Sequence, residues 1–151
     1  MVKKTNAASD RLSASESASC RRERPPENES AAGAKTVLLV NNDPILRAFV
    51  AHVLRGCRYR VLEASGALEI QRHAAAAGPI HLLMTDLDMP KSNGLELALQ
   101  LRKAHPEMKV LLACGASWEL DRAVCEANQI SLLAKPFTPF DLEQSVQQLL
   151  A

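Results

Sequence analysis

The sequence predicts an α/β fold: a doubly wound, open sheet of five parallel strands. Two observations carry that expectation. From Lys35 onward, short apolar runs alternate with stretches of helical composition, run then stretch, five times over. Such alternation builds parallel strands joined by crossover helices. The first run, Thr36-Val37-Leu38-Leu39-Val40, is β-branched or leucine at every position. That is the pattern of a strand buried on both faces. In sheets of this kind ligands bind beyond the carboxyl ends of the strands, at the topological switch point. Chemistry is therefore sought at those ends.

Each element has its own local reason. Asp43-Pro44 offers a helix N-cap with proline at the first helical position. Leu46, Val50, Val53 and Leu54 then recur at helical spacing, and Gly56 supplies a stop. Residues 58–64 alternate Tyr59, Val61 and Glu63 against Arg60, Leu62 and Ala64, which suggests an outer, less buried strand. Residues 66–77 are alanine-rich and helix-favouring, and Gly78-Pro79 ends them. Residues 80–85 read as a second buried strand. Residues 93–105 form the next helix, ended by Pro106. There Leu95, Leu97, Leu99 and Leu101 alternate as in a strand, but the surrounding Ala, Gln, Glu, Arg and Lys and the length favour helix. Residues 108–113 read as a strand, and 119–128 as a helix with Leu120, Val124 and Ala127 on one face. Residues 130–134 are the last strand. Thr138-Pro139 caps a final helix over 138–150, with Leu142, Val146, Leu149 and Leu150 inward.

Composition bounds the function. The 151 residues suit one domain, and 47% hydrophobic content supplies a core. A net charge of +1 argues against a protein built to neutralise nucleic-acid phosphates. Aromatic content of 3% argues against base-stacking platforms. Cys20, Cys57, Cys114 and Cys125 lack CxxC spacing and read as reduced thiols. His52, His73, His81 and His105 show no ligand spacing. No apolar run approaches the roughly 20 residues of a membrane span, and no secretory signal opens the chain. A cytoplasmic location is expected. Residues 1–34 carry only Val2 and Leu12 among valines and leucines, too little apolar surface to offset ordering entropy. They read as a disordered N-terminal tail, holding Arg21-Arg22-Glu23-Arg24 and Pro25-Pro26. That tail is a solvated leader or, alternatively, a binding arm. Residues 35–151 form the folded domain.

The strand ends bring together Asn41-Asn42-Asp43, Asp86, Cys114-Gly115 and Lys135-Pro136-Phe137. The segment Leu83-Met84-Thr85-Asp86-Leu87-Asp88-Met89-Pro90, with Gly94 eight residues after Asp86, resembles the phosphoacceptor segment of bacterial response-regulator receiver domains. Val37-Leu38-Leu39-Val40 before Asp43-Pro44, and Ala134-Lys135-Pro136-Phe137, fall where that family has its first-strand and last-strand motifs. The resemblance covers residues 35–151. It implies the (βα)5 flavodoxin-like receiver fold with strand order 2-1-3-4-5. It also implies a single-domain response regulator of two-component phosphorelay signalling. A sensor histidine kinase or phosphotransfer protein would donate a phosphoryl group to Asp86. Magnesium would be bound by Asp86 and by acidic residues after the first strand. A carboxylate is a competent nucleophile toward phosphorus. Lys135 would contact the phosphoryl oxygens as a compact positive charge. The family's Lys-Pro bond, here Lys135-Pro136, is usually cis. Backbone N–H groups after Asp86 would reach the phosphoryl oxygens, with Met89-Pro90 and Gly94 shaping the loop beside them.

The sequence departs from the family pattern at four positions. Asn41 and Asn42 stand where two acidic residues are normal, and magnesium favours carboxylate oxygens. Its affinity is expected to fall strongly, with Asn42 a weak ligand. Asp43 or Asp88 would partly compensate, although Asp43 also reads as the N-cap and Asp88 as an exposed loop carboxylate. Cys114 takes the place of the Ser or Thr whose hydroxyl bonds a phosphoryl oxygen, and a thiol is a weaker donor. Leu132, three residues before Lys135, replaces the aromatic residue of the family's switch. Cys114 beside Lys135 also invites a redox reading, set against a small buried residue replacing serine.

Two readings follow. The chain is a receiver still phosphorylated on Asp86, which signals to a downstream protein partner or through a homodimer. Alternatively it is a degenerate pseudo-receiver that binds protein without phosphorylation. The contact face implied by the resemblance is the last two helices and the last strand. No DNA-binding domain is expected after the last helix, and no enzymatic activity. Asp86-Leu87-Asp88 falls short of a haloacid-dehalogenase-type phosphatase motif because Pro90 follows, and no GxGxxG marks a dinucleotide site.

Overall fold

The computed structural model describes residues 33–76, 78–90, 92–115 and 122–151. Five strands form one parallel sheet: β1 (Thr36–Val40), β2 (Arg60–Ala64), β3 (Leu82–Asp86), β4 (Lys109–Cys114) and β5 (Ser131–Ala134). Their spatial order is β2-β1-β3-β4-β5, as expected. Helices α1 (Pro44–Gly56), α2 (Ala67–Ala76), α3 (Gly94–Arg102), α4 (Arg122–Ala127) and α5 (Pro139–Leu150) follow the strands in turn. The order of pairing reverses between β1 and β3, which places the switch point at their carboxyl ends.

Burial follows strand position. Every residue of β1 and of β3 is buried, whereas β2, at the edge, is exposed at Arg60 and half-buried at Leu62 and Glu63. Successive side chains leave the sheet on opposite faces. Leu38, Val40, Leu83, Val110 and Leu112 pack with Ile70, Ala98 and Cys125 on one face. Val37, Leu39, Leu82, Met84 and Leu111 pack with Val50, Leu54, Leu142 and Val146 on the other. So α2, α3 and α4 cover one face, and α1 and α5 cover its reverse. Each fully buried leucine contributes roughly 1.5–3 kcal/mol of transfer free energy.

Several boundaries differ from expectation for physical reasons. Strand β3 starts at Leu82 rather than at residue 80, because His81 pairs with the start of β1 through both its N–H and its ring. Its N–H donates to the Thr36 carbonyl and its Nδ1 accepts the Thr36 N–H, each at 2.9 Å. Gly56 is the last residue of α1, but the left-handed turn after it falls on Arg58, at φ 70°. The alternating leucines of α3 resolve as a helix: Leu95 and Ala98 are buried, Leu97 and Leu101 half-buried, and Leu99 exposed. A short antiparallel ladder pairs Asp88–Met89 with Ser92–Asn93, too brief for any periodic signal. Arg102, at the end of α3, donates to the carbonyls of Met108 (3.1 Å), Gln129 (3.2 Å) and Asn128, tying α3 to the chain on either side of β4 and α4. Cys114 and Cys125 are free and buried. Cys57 is disulfide-bonded, which corrects the expectation of a reduced thiol there. The tail up to residue 32, and the start expected for the fourth helix, lie outside the described residues. Among those residues, no helix is long and apolar enough to cross a membrane.

Candidate functional site

Asn41 extends β1 by one residue, its N–H donating to the Ala64 carbonyl of β2 at 3.1 Å. The sheet therefore fixes its backbone, and its side chain is buried. The Asn41 carbonyl accepts Arg47 Nη1 at 2.7 Å. Its Oδ1 accepts the Asp43 N–H at 2.8 Å, and its Nδ2 donates to Asp86 Oδ2 at 3.3 Å. Asn42 is exposed on the rim. Asp43 caps α1, its Oδ1 accepting the N–H groups of Ile45 (2.9 Å) and Leu46 (3.3 Å). A first-turn proline follows, as its fixed φ favours.

Asp86 ends β3 and is buried, with 10% of its side chain exposed. The chain after it is pinned on both sides. The Leu87 N–H donates to the Ala113 carbonyl, and the Gly94 N–H donates to the Leu87 carbonyl, each at 2.8 Å. Asn93 then caps α3, its Oδ1 accepting the Leu95 N–H at 2.7 Å. Since the sheet consumes the Leu87 N–H, that amide is not the donor expected for a bound anion.

Lys135 leaves β5 directly beside this point. Its N–H donates to the Cys114 carbonyl at 2.9 Å, which sets its backbone against the end of β4. The Lys135-Pro136 bond is cis. Lys135 Nζ lies 3.0 Å from Asp86 Oδ1, an ion pair whose lysine side is 35% exposed. A partly solvated pair of this kind orders the site more than it stabilises the fold.

The family model of the response regulator receiver domain matches residues 37–147. This chain belongs to the response-regulator receiver family. It is 30% identical over 118 residues to the response regulator receiver protein CpdR of Brucella abortus, covering 77% of this chain and 97% of that protein. It is 29% identical to the sensor kinase CckA of the same organism over 78% of this chain but only 13% of the kinase. The crystal structure of a receiver domain protein from Clostridium thermocellum superimposes with a TM-score of 0.70 at 20% identity, over 77% of this chain and 94% of that one.

In this receiver the other expected site residues take different places around the rim. Cys114 ends β4 in the apolar cluster facing α3 and α4, and its thiol donates to the Leu133 carbonyl at 3.6 Å. Burial pushes that thiol's pKa up; the nearby Lys135 lowers it and Asp88 raises it further. A buried thiol of raised pKa is not the thiolate that a redox site needs. Leu132 is half-buried against the same cluster. Asp88 is exposed on the short ladder.

The family implies magnesium at this rim, and the donor set does not fit it. Magnesium asks for oxygen ligands in near-octahedral array. Asp86 Oδ1 faces an ammonium and Oδ2 faces an amide nitrogen. The Asn41 oxygen and Asp43 Oδ1 are both held by backbone N–H groups. Among the described residues, no group of three or more His, Cys, Asp or Glu side chains could hold a metal ion.

The contact between Asn41 and Asp86 is not visible in the sequence. In the sequence Asn41 shows only a missing acid; that it bonds Asp86 follows from the adjacency of β1 and β3. No residue pattern along one strand carries that signal.

Proposed function

We propose that this receiver accepts a phosphoryl group on Asp86 and signals through protein–protein contacts, as a single-domain response regulator in a two-component phosphorelay. The observation that carries the reading is the 3.0 Å approach of Lys135 Nζ to Asp86 Oδ1 at the switch point of a parallel sheet. An Asp86 oxygen forms the new P–O bond while the bond from phosphorus to the donor breaks. The electron pair of that bond leaves with the donor, a histidine imidazole or acetate. Oδ2 is the oxygen better placed to attack, since its 3.3 Å amide bond is the weaker restraint. Lys135 balances charge on the phosphoryl oxygens, and such transfer depends chiefly on positioning and charge stabilisation.

A sensor histidine kinase or phosphotransfer protein fits as donor, which the likeness to both CckA and CpdR supports. The downstream partner would meet the face formed by α4, β5 and α5. A cytoplasmic setting goes with that donor. The second reading, a phosphorylation-independent binding module, is favoured by Asn41 and Asn42 and by Leu132 in place of an aromatic switch. Peptide mapping after treatment with acetyl phosphate separates the two. A hydroxylamine-labile adduct on the peptide holding Asp86 supports the receiver; its absence supports the binding module.

A further inference from the structure

The geometry points to a pocket at Asp86 that operates without a divalent cation, with Lys135 Nζ on Oδ1 and Asn41 Nδ2 on Oδ2 as the groups that meet the carboxylate. Three features of the site argue for it. First, the Asn41 amide has a fixed orientation. Its Oδ1 accepts the Asp43 N–H at 2.8 Å, so its Nδ2 must face Asp86. The reversed amide would set two donors against each other at Asp43 and two acceptors against each other at Asp86. Secondly, the residues around the carboxylate leave it neutralised. Lys135 offsets the charge of Asp86, and both Asn41 and Asn42 are uncharged. A cation entering here finds one carboxylate already paired rather than a cluster of acids. Thirdly, Asn41 is held at four points: the Ala64 carbonyl, Arg47, the Asp43 N–H and Asp86. Turning its oxygen toward a metal breaks two of these bonds in a buried place, where unpaired polar groups are costly.

The inference deepens the phosphoacceptor reading, because it makes the amide and the ammonium the groups that meet an incoming phosphoryl anion. Its test does not depend on phosphorylation. The 15N-labelled full chain is titrated with Mn2+, and paramagnetic broadening of the Asp86 and Leu87 amides is followed. The expected result is no saturable broadening below about 1 mM. The Asn41→Asp/Asn42→Asp variant should bind at least ~10-fold more tightly than the wild type. Circular dichroism verifies that this variant folds; if it does not, Asn42→Asp alone, at an exposed position, takes its place. Saturable broadening of the wild type below about 1 mM, lost in Asp86→Asn, would overturn the inference. So would a folded aspartate variant that binds no more tightly than the wild type. Absence of a phosphoryl adduct, by contrast, strikes the proposed function and leaves this result untouched.

Discussion

Gly94 stands so close to the Asp86 carbonyl that a Cβ on Gly94 would overlap that oxygen. The Gly94 N–H also donates to the Leu87 carbonyl at 2.8 Å, so α3 begins pressed onto the end of β3. The obstacle is backbone, which cannot swing aside as a flexible side chain can. Gly94→Ala should therefore shift the chain at Asp86 and cost about 1–3 kcal/mol, as overpacking does. The urea midpoint measures this; an unchanged midpoint would show that the two segments are not in such contact.

The Asp43 cap makes a separable prediction. Asp43→Ala removes the acceptor of two helix N–H groups and should cost about 1 kcal/mol. Asp43→Asn keeps an acceptor and should lie close to wild type. Equal losses for both substitutions would point to the charge rather than to the cap.

Acid sensitivity should centre in part on α5. The Thr138 N–H and then the Thr138 hydroxyl hold the Asp141 carboxyl below its ordinary pKa. A depressed folded-state pKa gives stability that is present above the unfolded value and is lost as pH falls through the folded one. The capping box should thus weaken below about pH 4. Asp141→Asn should flatten the acid limb of a stability-against-pH curve. A limb identical in both proteins would contradict this assignment.

Cys114 should be inert. It is buried, bonded to the Leu133 carbonyl, and its pKa is raised mainly by burial. Alkylation of Cys114 in the native chain at neutral pH should run at least ~10-fold slower than in urea. Labelling of Cys114 at comparable rates would revive a redox role.

The fold was legible because its strands announce themselves. Thr36–Val40 and Leu82–Asp86 are buried throughout, and continuous apolar runs are the direct trace of that burial. The caps at Asp43 and Thr138 were equally local and were read at their positions. The ladder of Asp88–Met89 with Ser92–Asn93 was not legible, since two residues show no period. Arg102 escaped notice because its three carbonyl partners lie on segments distant in sequence. At the rim, flanking motifs single out Asp86 and Lys135 in the sequence, and the structure sets them 3.0 Å apart. What Asn41 does there was hidden. Its type showed a lost charge, but its contact depends on which strands are neighbours. The side on which Cys114 points was hidden likewise, because a strand's final residue can face the rim or the core.

The most direct measurement of the account is intact-mass analysis of the full chain after incubation with acetyl phosphate, beside Asp86→Asn. One phosphoryl adduct is expected on the wild type and none on the variant. An adduct of equal size on both proteins, or none on the wild type, would contradict Asp86 as the phosphoacceptor.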